Sequence, residues 1–67
     1  MARKLIHKQV SANNQKQVRV YRDAEYDEYV VKLDERMGDA WIHYEPADYF
    51  TQDKQDALDT ATSMLKN

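Results

Sequence analysis

Sixty-seven residues with one glycine, one proline and no cysteine make room for a single small domain and exclude a second one or a large substrate cavity. Hydrophobic residues reach 42% beside 33% charged ones, which argues against disorder. The absence of cysteine excludes a disulfide framework, a thiolate metal site and a thiol nucleophile.

The predicted elements begin with a strand over about residues 4–10, where Ile6 and Val10 alternate with polar neighbours and Leu5 adds apolar area. Ser11 to Gln15 is polar and rich in asparagine, which tolerates the left-handed conformation of tight turns. A second strand over 17–22 puts Val18 and Val20 toward a core and Arg19 and Tyr21 on the other face. After a turn at Asp23–Asp27, a third strand over 28–34 carries Tyr29, Val31 and Leu33 at a period of two. Gly38, the only glycine, suits a turn that needs a positive φ. A fourth strand over 40–45 sets Ile42 and Tyr44 opposite Trp41 and His43, and Pro46 ends it. Tyr49 and Phe50 then lead into a helix over about 52–65, capped by Thr51 or Asp53. Ala57, Leu58, Ala61, Met64 and Leu65 form its apolar stripe. The expected fold is α+β: a three- or four-stranded antiparallel meander with one C-terminal helix packed on one face.

Charge is distributed unevenly. Residues 1–22 contain Arg3, Lys4, Lys8, Lys16, Arg19 and Arg22 and no acid, a sum of +6; residues 23–67 set twelve acids against Lys32, Arg36, Lys54 and Lys66, a sum of −8, and the two recover the net −2. Either the halves form separate patches, or basic and acidic strands lie side by side and neutralise one another. No apolar run approaches the roughly 20 residues of a membrane span. The apolar stretch after Met1-Ala2-Arg3-Lys4 is only Leu5-Ile6, too short for a signal peptide. A cytoplasmic protein without a membrane partner is expected.

Catalytic chemistry finds little support. Ser11 and Ser63 have only His7 and His43 as bases, and no motif joins them. His43, Glu45 and Asp48 could approach a metal, yet a strand histidine beside tryptophan and tyrosine reads more readily as a surface aromatic. Asp23-x-Glu25-x-Asp27 with Asp34 resembles a calcium loop but has Glu28 where the sharp turn needs glycine. With one glycine no phosphate-cradling loop can form. No enzyme, no metal and no cofactor are expected.

Two surfaces are candidates for binding. One is acidic and aromatic: Tyr26, Trp41, Glu45, Asp48, Asp53, Asp56 and Asp59. The three helical aspartates step along one side roughly 5–6 Å apart, so they can imitate a phosphate backbone for a host protein with a basic surface, or simply serve as a solvated face. Reversing all three to lysine should leave the fold intact. The other surface is basic: Lys8, Lys16, Arg19 and Arg22 with Tyr21, a nucleic-acid-binding set. A homodimer through an edge strand is a further expectation.

The segment Ala47-Asp48-Tyr49-Phe50-Thr51-Gln52-Asp53-Lys54-Gln55-Asp56-Ala57-Leu58-Asp59-Thr60-Ala61 resembles the C-terminal ends of small, uncharacterised bacteriophage proteins. Phe50-Thr51 and the order of elements also resemble the arm-binding domains of phage integrases, which lay a sheet in the DNA major groove. HicB-type antitoxin domains share the strand, threonine and alanine-containing helix, after a glycine-rich segment missing here. The phage resemblance implies an accessory protein that binds and modulates nucleic-acid-handling machinery of a bacterial host. The expected function is therefore a non-catalytic protein-binding module acting through the acidic and aromatic surface, with nucleic-acid binding through the basic strands as the alternative.

Overall fold

Branched residues at every second position define the two central strands, because a period of two sends them all to one side of a pleated sheet. The structure, a computed structural model, describes residues 3–66. Its elements are β1 (Arg3–Val10), β2 (Lys16–Asp23), β3 (Glu28–Met37), β4 (Ala40–His43), a 3-10 turn (Glu45–Ala47), β5 (Tyr49–Thr51) and α1 (Lys54–Lys66). The sheet is antiparallel with order β1-β2-β3-β4, and β5 also pairs with β3. This is the expected meander with one C-terminal helix. Its boundaries differ from expectation in that β3 continues to Met37, β4 stops at His43 and α1 starts at Lys54.

The turns follow their residue chemistry. Asn14 (φ 61°), Asp27 (φ 52°) and Gly38 (φ 63°) take left-handed backbone conformations, which asparagine, aspartate and glycine accept most readily. In the first hairpin the Ser11 hydroxyl accepts the Lys16 amide at 3.1 Å and donates to Asn13 Oδ1 at 2.7 Å. In the second, Asp23 Oδ1 accepts the Glu25 amide at 3.0 Å.

Helix α1 lies across β2 and β3. Val18, Val20, Val31 and Leu33 form the core with Ala57 and Ala61, and Tyr29, Ala47, Leu58, Met64 and Leu65 pack around its margin. Register explains the match, since Val18 pairs with Leu33 and Val20 with Val31. The two alanines let the helix backbone approach the valines closely. Asp53 is its cap: its side chain accepts the Gln55 amide at 3.0 Å and its carbonyl accepts the Ala57 amide at 3.0 Å.

Two strands depart from expectation. The register of β1 shifts between Leu5 and His7, a bulge that breaks the Ile6–Val10 alternation; Leu5 and Val10 pair with Tyr21 and Gln17 on the side away from the helix, and both are exposed. Tyr49 and Phe50 do not lead directly into the helix but form β5 with Thr51. Asp34 pairs with His43 and Val31 with Tyr49, so six steps of chain here match three on β3. The 3-10 turn containing Pro46 takes up the difference, and β4 and β5 share one edge of β3.

Candidate functional site

The side of the sheet away from α1 carries the residues that alternate with the core valines. Cross-strand register arranges them in rows. Lys8 pairs with Arg19 and Arg19 with Lys32, which places three cations side by side over β1, β2 and β3. The adjoining row is Leu5, Tyr21, Val30 and Phe50, running to β5. Val30 is fully buried although no helix covers this face, whereas Leu5 is 46% and Phe50 50% exposed. Like charges at directly opposed positions work against a sheet, so the cationic row costs the fold something.

Carboxylates relieve part of that cost. Arg19 donates from Nη2 to Asp34 Oδ1 at 2.9 Å and from Nη1 to the Tyr21 hydroxyl at 2.9 Å. Its buried Nε lies 2.8 Å from Asp34 Oδ2 without hydrogen-bond alignment, and that oxygen accepts Gln17 Nε2 at 2.7 Å. Burial pulls the Arg19 pKa down, but the hydrogen bond and charge of Asp34 outweigh it and raise the value above the ordinary one. Lys32 lies 3.5 Å from Asp48 Oδ2, and His43 Nε2 donates to Asp48 Oδ1 at 2.6 Å. Lys8 has no ion pair among the described residues. At the end of the face the Arg36 guanidinium sits 5.3 Å from the centre of the Trp41 ring.

The basic set is thus divided. Lys8, Arg19 and Tyr21 share the helix-free face; the alternation of β2 puts Lys16 and Arg22 on the helix side, where Arg22 stacks 5.3 Å from the centre of the Tyr29 ring and pairs with Asp27. The basic N-terminal segment is no separate patch, because Arg3, Arg19 and Arg22 pair with Asp23, Asp34 and Asp27.

The acidic and aromatic set is divided too. Tyr26 is 65% exposed in the second turn, and Trp41 is half-buried against Arg36 on the opposite side of the sheet from α1. Glu45 opens the exposed 3-10 turn. Asp48 is held between Lys32 and His43 with its side chain only 17% exposed. On α1, Asp56 accepts the Tyr49 hydroxyl at 2.7 Å and Asp59 accepts Gln55 Nε2 at 3.0 Å. Reversal of the three aspartates would not spare the fold, because Asp53 caps the helix and Asp56 ties it to β5.

Among the described residues no group of three or more histidine and acidic side chains is placed to hold a metal, and they enclose no pocket. No helix is long and apolar enough to cross a membrane. No known protein family, curated protein or solved structure matches the chain.

Sequence reasoning missed Lys32, Leu5 and Phe50 as members of one surface. Lys32 was within reach, since it alternates with Val31 and Leu33 and must lie opposite the core. Phe50 was not, because its strand exists only through pairing with distant β3.

Proposed function

We propose that this protein is a non-catalytic binding module whose working surface is the helix-free face of the sheet, and that a nucleic acid docks there. The observation that carries this is the row Lys8–Arg19–Lys32 running beside Leu5, Tyr21, Val30 and Phe50. Cations neutralise phosphates, and the exposed Leu5 and Phe50 with half-buried Tyr21 offer the bases an apolar and aromatic surface. The phage resemblance of residues 47–61 suggests a bacterial cytoplasm as the setting and host nucleic-acid machinery as the context.

A second reading is contact between the outer side of α1 and a basic host protein. Exposed Asp53 and Asp59 support it. It has less to work with, because each aspartate of the row already holds an intramolecular partner.

The test is fluorescence anisotropy against labelled single-stranded DNA, duplex DNA and duplex RNA across a salt series. Binding should weaken with salt, with a log–log slope of about −0.7 for each phosphate neutralised on a single strand. Lys8→Glu should weaken binding and leave the fold unharmed, because it places an acid beside Arg19. No binding of any probe at low salt overturns the proposal and leaves the acidic helix as the surface to pursue.

A further inference from the structure

We propose that the ligand of this face is a single strand, with bases stacked on Phe50 and Tyr21 and phosphates along the row led by Lys8. This rests on the nucleic-acid reading above and narrows it to one class of ligand.

Two features favour a single strand over a duplex. The first is the chemistry of the apolar row. Phe50 and Leu5 are about half exposed and have no group with which to hydrogen-bond a base edge; what a phenyl ring offers is a face for stacking, and bases turn their faces outward only when unpaired. Tyr21 and Phe50 flank Val30 on either side, two strand spacings or about 10 Å apart, so each can take its own base. The second is the placement of charge. A duplex groove presents two phosphate backbones, whereas this face has one cationic row, in which Arg19 and Lys32 are shared with Asp34 and Asp48 and Lys8 has no ion pair among the described residues. A single backbone needs only the one row.

Phe50 is suited to the role by its position. It occupies the middle of a three-residue strand on the sheet edge, held by pairing with Val30. The backbone there is fixed by β3, while the ring stays open to solvent. Tyr21 is held by its hydroxyl, which accepts from Arg19 at 2.9 Å, so the ring is oriented before a ligand arrives.

The experiment measures a labelled mixed-sequence single-stranded DNA 12-mer against its own blunt duplex, by direct titration and by competition. The proteins are the full chain and its Phe50→Ala, Phe50→Leu and Phe50→Trp variants, with thermal unfolding of each recorded. Leucine keeps the apolar bulk and removes the π-face, so it separates stacking from folding. The single strand should bind, and unlabelled duplex should fail to displace it. Phe50→Ala and Phe50→Leu should weaken binding about 5- to 100-fold, and Phe50→Trp should retain it. Full affinity in a folded Phe50→Leu variant overturns the stacking platform. Duplex binding as tight as single-strand binding overturns the single-strand inference while nucleic-acid binding itself stands. Failure of both probes at low salt overturns both.

Discussion

Asp23 shows how a single side chain joins two parts of this protein. It is 5% exposed, lies 3.2 Å from Arg3 Nε, and accepts backbone amides of the following turn. Burial pushes its carboxyl upward, but the Arg3 hydrogen bond, the Tyr26 and Glu25 amides and the Arg3 charge prevail and hold it below the usual aspartate range. A lowered folded-state pKa means that the unfolded chain binds the proton more readily. The stabilisation is therefore present above the unfolded value of about 3.9 and is lost as pH falls through the folded one. Thermal melts from pH 7 down to pH 2 should show a fall in stability below about pH 4 that is shallower in Asp23→Asn. Equal slopes in the two proteins would show that Asp23 contributes nothing to acid unfolding. Asp34 does comparable work deeper in the sheet, where it accepts from Gln17 and Arg19 together. Without it Gln17 would lose this acceptor and Arg19 would keep only the Tyr21 hydroxyl.

Helix α1 depends on its first turn. A 13-residue helix is marginal by itself in water, so its cap and its tie to β5 matter. Asp53 satisfies the Gln55 amide and places a negative charge at the positive end of the helix dipole. Asp53→Ala should cost about 1 kcal/mol and Asp53→Asn much less; chemical denaturation of both variants checks this. The tie is the Tyr49 hydroxyl donating to Asp56. That carboxylate, by hydrogen bond and by charge, holds the Tyr49 pKa above its ordinary value, so its stabilisation is complete below about pH 10 and fades only as the phenol ionises. In the turn between β3 and β4, a Cβ added to Gly38 would meet nothing within 4 Å, and the φ of 63° alone accounts for glycine there.

The whole molecule rests on a thin core. Four valines and two alanines are fully buried, with Leu33 at 8%, and larger side chains lie at the margin. The alanines set the distance between helix and sheet, so Ala61→Leu would push the helix outward and should cost about 1–3 kcal/mol. In a domain of this size each kcal/mol lowers Tm by about 4–8 °C, and calorimetry would read the change directly. An unchanged Tm would show that the helix can shift without penalty. The same thinness bears on function: the helix covers one sheet face only, and the other, with Lys8, Arg19, Lys32, Tyr21 and Phe50, is where the proposed ligand docks.

Local patterns reach far in this protein because period-two and helical spacings are physical consequences of pleat and helix pitch. The faces of Val18, Val20, Val31 and Leu33, the stripe through Ala57 and Ala61, and the turns at Asn14 and Gly38 all follow from neighbours within a few residues. Register and edge occupancy do not. They depend on hydrogen bonds between residues far apart in the chain, and a shift of one residue exchanges the two faces of a strand. The bulge beside Ile6, the return of Tyr49–Thr51 to β3 and the alignment of Lys8 with Arg19 and Lys32 are therefore products of the assembled sheet, which brings Phe50 and Lys8 onto one surface.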